Sequence, residues 1–96
     1  MKKYVAILKD KNSDTIDSEL NIRHVEHLKK TALNGQLFLC GPLLGHGGAM
    51  QILVAESKDE AEKMLLSDPF LSEGFYTKYE LYELLEANLE NCFLLK

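Results

Sequence analysis

The chain has no tryptophan, only two prolines and only two cysteines in its 96 residues. Cys40 and Cys92 are too few and too far apart for a disulfide framework or a Cys-x-x-Cys motif. No apolar stretch approaches the roughly 20 residues of a membrane-spanning helix. The apolar run after Met1-Lys2-Lys3 stops at Leu8, which is too short for a secretory leader. The expected compartment is therefore the cytoplasm, with free thiols. Basic residues are in the minority: 11 Lys and Arg stand against 15 Asp and Glu, for a formal charge of −4. They are spread along the chain, which argues against nucleic acid and an anionic membrane surface as partners. Gly45-His46-Gly47-Gly48 lacks the Lys-Ser/Thr and following helix of a phosphate loop. Ser67 and Ser72 have no base at a workable spacing, which disfavours a serine hydrolase. His24 and His27 stand three apart on one helix, but no third ligand accompanies them, so neither a metal nor another cofactor is expected.

What is present is one domain's worth of chain, residues 1–96, 46% hydrophobic. A core of this size is small, and self-association would add to its stability. Tyr4 to Leu8 reads as a central strand and Lys9 to Ser13 as a loop. Asp14 or Ser18 is placed to cap a helix running to about Asn34, with Gly35 just past its end. At about 100° per residue, Leu20, Leu28 and Thr31 lie within roughly 40° of His24 and His27 within about 60°, whereas Arg23, Glu26, Lys29 and Lys30 fall outside. His24 thus belongs to the apolar stripe.

Gln36 to Cys40 reads as a second strand, stopped by Gly41-Pro42. Ala49 to Ala55 is a third, and its near-continuous apolar run predicts burial on both faces. Ser57, with Glu60 three residues on, caps a helix from Lys58 to Ser67 that Asp68-Pro69 ends. Phe75 to Leu84 alternates as a fourth strand, and Glu86 to Lys96 is a tail. The order β-α-β-β-α-β predicts an α+β, ferredoxin-like fold: a four-stranded antiparallel sheet with two helices on one face. Two subunits packed sheet to sheet, a dimeric α/β-barrel type of assembly, would cover the other face.

The set His24-Val25, Leu28, Gly35, Gly41-Pro42 and Asp68-Pro69-Phe70, with Asp59-Glu60-Ala61 and Tyr79-Glu80-Leu81 around it, resembles the YCII-related (YciI-like) family over nearly the whole chain except about the last ten residues. The resemblance implies a ferredoxin-like, commonly dimeric protein with a His/Asp active site. Muconolactone isomerase-like proteins and a dehydrochlorinase share that architecture. The chain departs from the family pattern where Asn21 replaces a frequent Arg, Arg23 standing beside His24 instead. The loop after Gly41-Pro42 also lacks a frequent Asp-Gly.

The candidate catalytic pair is His24 and Asp68. A carboxylate on one ring nitrogen fixes the tautomer and raises basicity. The plainer readings are a core-edge histidine bonded to backbone, and an Asx turn at Asp68. Five residues are candidates for substrate binding. Arg23 or His46 would stabilise developing negative charge. His27 is a partly buried or interface residue, or else a second ligand or base, and His46 is either solvated or part of a lid. Gly41 and Pro42 shape the pocket wall. Cys40 is expected to be a buried small hydrophobe, or else a thiol nucleophile. Tyr76 or Tyr79 lines the pocket, and which of the two faces inward is left open. The expected function is metal-free acid–base chemistry (isomerase, lyase or dehalogenase type) on a small organic molecule. The rivals are a non-catalytic dimeric module that binds a small ligand, and a protein-interaction domain using an apolar patch around Phe93-Leu94-Leu95.

Overall fold

The computed structural model describes residues 1–95; Lys96, the last residue of the expected tail, lies outside them. The elements run β1 (Lys2–Lys11), α1 (Ser18–Leu33), β2 (Leu37–Pro42), β3 (Ala49–Ala55), α2 (Lys58–Leu66), α3 (Pro69–Ser72) and β4 (Tyr76–Leu84), followed by a short 3₁₀ turn at Cys92–Leu94. The strands form one sheet in the order β2-β3-β1-β4, with each neighbouring pair antiparallel. With α1 and α2 as crossovers, this is the ferredoxin-like βαββαβ arrangement.

Local chemistry sets the element ends. Asp17, not Asp14 or Ser18, caps α1: its carboxylate accepts the Leu20 amide at 3.1 Å. Gly35 follows the helix at φ 74°, a conformation that costs glycine little. Ser57 caps α2 by accepting the Glu60 amide at 3.2 Å. Asp68-Pro69 ends that helix and also starts the next, with Asp68 as the cap of α3 and Pro69 in its first turn. β1 runs on past Leu8 because β4 continues to pair with it as far as Lys11, opposite Tyr76. β2 likewise continues through Gly41 and Pro42, opposite Met50 and Ala49. An edge strand tolerates the missing proline donor.

The core lies between the helices and one face of the sheet. Tyr4, Ala6 and Leu8 of β1, Leu53 and Ala55 of β3 and Leu81 of β4 meet Ala61 and Leu65 of α2, with Phe70 and Phe75 closing one end. β3 is not buried on both faces as its apolar run predicts. Gln51, Leu53 and Ala55 are buried, whereas Met50, Ile52 and Val54 are half-covered, because the helices occupy a single face of the sheet. On the open face, Ile52 stands opposite Val5 and Met50 opposite Ile7.

The loop before β3 folds tightly onto β1. A Cβ built on buried Gly48 would lie 2.2 Å from the Leu8 carbonyl oxygen and 2.8 Å from a His46 ring nitrogen. The first obstacle is backbone in the central strand and cannot swing aside. Gly48→Ala is expected to destabilise the fold by about 2 kcal/mol, read in a melting experiment as a fall in Tm of roughly 8–16 °C.

Candidate active site

Three elements converge on one carboxylate. Asp68 precedes a proline, which keeps its backbone extended (φ −67°, ψ 124°) and turns its side chain back over the start of α3. There Oδ1 accepts the Phe70 amide at 2.9 Å. The same oxygen accepts the Nδ1–H of His24, on α1, at 2.7 Å. Oδ2 accepts the side-chain amide of Gln51, on β3, at 2.8 Å. Asp68 has no exposed surface. Burial pushes its carboxyl up, but the bond from His24, the Phe70 amide, the charge of His24 and the Gln51 amide together outweigh that and hold it below its ordinary value.

His24 is fixed on a face as well as an edge. The Phe70 ring stacks on the imidazole at a centroid distance of 3.6 Å and an interplanar angle of 3°. The Nδ1 edge is turned to a fully buried carboxylate, yet the His24 side chain keeps 15% of its surface. His24 borders a cavity of about 420 Å³. With Nδ1 donating to Asp68, neutral His24 presents Nε2 as a bare acceptor, the form a general base requires.

The cavity lies between α1 and the β2 end of the sheet. Asn21, His24, Val25 and Leu28 of α1 form one wall, and Cys40, Gly41, Pro42, Met50 and Gln51 form another. Phe70, Tyr76, Leu8, Ala49, Lys11 and Ile16 complete it. Its surface is mostly hydrocarbon with a few polar groups, as small-molecule pockets usually are.

The residues singled out in the sequence divide into two sets. His24, Asp68, Gly41 and Pro42 come together at the cavity. Arg23, His27 and His46 do not line it. Arg23 points outward and forms a two-pronged pair with Glu73. His27 is partly buried on α1, and burial is the main cause that holds its imidazole below its ordinary value. His46 lies over the strand ends beside Gly48, close enough to Glu80 to favour that carboxylate's charge. Cys40 is exposed rather than buried because β2 is an edge strand. Partial desolvation of the thiol, and then the charge of Asp68, push it up, away from a ready thiolate. Of the two tyrosines weighed for the pocket, Tyr76 lines it, whereas the Tyr79 hydroxyl donates to Glu62 at 2.8 Å. Among the described residues no three His, Cys, Asp or Glu side chains cluster as metal ligands.

Sequence reasoning missed Gln51, Lys11 and the stacking role of Phe70. Gln51 did leave a signal: a lone amide in the apolar run Ala49–Ala55 needs a polar partner once buried.

The YCII-related domain model matches residues 2–85. Among solved structures the chain is similar to TftG, the 5-chloro-2-hydroxyhydroquinone dehydrochlorinase from Burkholderia phenoliruptrix AC1100, in complex with 2,5-dihydroxybenzoquinone. The likeness covers 92% of this chain and 97% of that one, with a TM-score of 0.63 and 22% identity. A search of curated proteins gives no match.

The carboxyl of Asp68 titrates lower in the folded chain than in the unfolded one, so folding favours its ionised form. That contribution is complete above the ordinary value of 3.8 and is lost as pH falls through the lower folded value. Asp68→Asn is expected to remove this acid-side loss. At neutral pH the same change is expected to cost about 1–3 kcal/mol, because an amide cannot accept from all three donors. Denaturant unfolding of both proteins between pH 2 and 7 measures both effects.

Proposed function

Since the chain belongs to the YCII-related domain family, we propose that it is an acid–base enzyme acting on a small, ring-shaped organic molecule, and that it works as a homodimer. What carries this reading is the 2.7 Å bond between His24 Nδ1 and a fully buried Asp68, at a histidine that borders an apolar cavity.

The bound molecule loses a proton to His24 Nε2. The imidazolium that forms is stabilised by Asp68, already ionised and already held by Phe70 and Gln51. No group has to move or reorient for this, which is how an enclosed site lowers a barrier. Two outcomes follow from the same first step. If the substrate carries a leaving group, the electron pair of the broken bond to hydrogen forms a new double bond. The leaving group then departs as an anion, and the proton on His24 passes to water. If it carries none, the proton returns at another atom and the product is an isomer. The fold shared with a dehydrochlorinase supports the first outcome.

Gly41 and Pro42 are read as pocket wall. In this proposal Arg23 and His46 have no direct part, since neither borders the cavity. The free thiols of Cys40 and Cys92 suit a reducing compartment such as the cytoplasm. No helix among the described residues is long and apolar enough to cross a membrane.

The dimer is argued from the open sheet face. Val5, Ile7, Met50, Ile52 and Val54 remain only half-covered, and Leu39, Tyr82 and Leu84 extend the patch outward. A second sheet packed on this face would remove that surface from water at roughly 25 cal/mol per Å². Ile52→Glu, which puts a charge at the centre of the patch, is expected to give a monomer in analytical ultracentrifugation where the native chain sediments as a dimer. Unchanged sedimentation would remove this face as the interface.

The catalytic reading is tested with His24→Gln, which keeps a donor for Asp68 but removes the base. Chloride release is followed from halogenated hydroquinones, 5-chloro-2-hydroxyhydroquinone first. The variant is expected to be slower by about 10²–10⁴-fold, the usual contribution of a positioned base. Equal rates would overturn the proposal. Saturable binding of 2,5-dihydroxybenzoquinone with no turnover would make the protein a binding module instead.

A further inference from the structure

The cavity holds a polar group that the His24 chemistry does not use. Tyr76 is 6% exposed, and its ring is fixed edge-on against Phe75 at 5.0 Å and Phe70 at 5.9 Å. The other two tyrosines of β4 spend their hydroxyls on carboxylates: Tyr79 on Glu62 at 2.8 Å and Tyr82 on Glu80 at 2.6 Å. The Tyr76 hydroxyl has no partner among the described residues. Yet among those residues no side-chain nitrogen or oxygen is both sealed from solvent and unpaired. The Tyr76 oxygen is therefore not sealed from open space, and Tyr76 is among the residues lining the cavity beside His24. Lys11, its partner across the β1–β4 ladder, borders the same cavity.

We propose that Tyr76 anchors an oxygen of the bound ring, donating a hydrogen bond to a phenolate, enolate or ring carbonyl while Lys11 supplies the compensating positive charge. The proposal rests on the acid–base reading above and narrows its substrate to planar rings that carry an oxygen substituent. The two groups have complementary tasks. His24 takes a proton from the ring, and the electrons left behind gather on the oxygen held by Tyr76. Charge that develops there meets a donor fixed in place beforehand. Burial, and then the charge of Asp68, push the Tyr76 phenol up, so it stays a donor.

The probe is 4-nitrophenol, whose phenolate absorbs in the visible, with nitrobenzene as the matched ring lacking the oxygen. Native protein, Tyr76→Phe and Lys11→Met are titrated with both. Tyr76→Phe removes a hydroxyl that no protein group depends on, and Lys11 is exposed, so both variants are expected to melt as the native chain does. The native chain is expected to bind 4-nitrophenol and to raise its phenolate fraction at a given pH. Tyr76→Phe is expected to weaken that binding at least about tenfold, as for a bond to a charged acceptor, and to leave nitrobenzene binding unchanged. Lys11→Met is expected to reduce the phenolate fraction of bound probe. Equal 4-nitrophenol affinity in native protein and Tyr76→Phe would overturn the role of Tyr76 while leaving His24 as the base. Failure of the native chain to bind either ring would overturn both proposals.

Discussion

A carboxylate cannot be buried without donors, and in this small fold one buried carboxylate organises everything near it. Asp68 has no contact with solvent. Left alone, an ionised group in that position would cost several kcal/mol. The chain supplies three N–H donors from three places: the helix α1, the inner strand β3 and the first turn of α3. Each donor's element is thereby tied to the same point. The distance between α1 and the sheet, the start of α3 and the orientation of the imidazole all follow from satisfying one charge.

The geometry of the cavity is a by-product of the same demand. α1 must come close enough at His24 for its ring to reach Asp68, which lies between α2 and α3. The remainder of the helix then spans the β2 end of the sheet, where the edge strand offers only small or short residues, Cys40, Gly41 and Pro42. A helix held at His24, partway along its length, over small side chains leaves space beneath it. The fold leaves a cavity at the edge of its own core, and the imidazole is one of the polar groups at its border.

How much of this is legible in the sequence depends on whether the signal is local. Asp-Pro-Phe and the helical stripe through His24 are local, and together with the order of elements they lead to the fold and to the pair at its centre. Gln51 is different. In a strand whose neighbours are Ala49, Met50, Ile52 and Leu53, an amide reads as an interruption, and only the register against β1 and the position of Asp68 reveal its partner. Arg23 shows the converse error. It adjoins His24 in sequence, but successive helical residues lie about 100° apart, and the guanidinium turns outward to Glu73. His46 is misplaced for a related reason: a glycine-rich loop carries no periodicity that says which side of the sheet it will cover. The two faces of β3 are indistinguishable in composition, and only the placement of the helices decides which is covered.

The segment Asp68-Pro69-Phe70 has an implication for how such a protein can change. Within three consecutive residues it carries the acceptor for an imidazole edge, the rigid link that aims it and the aromatic plate that covers the imidazole face. It is a portable socket for a histidine, and of the side chains on the cavity wall opposite α1 only Gln51 bonds to it. The others on that wall are free to drift. A lineage built on this socket can change the opposite wall of the cavity and keep the His24–Asp68 bond intact.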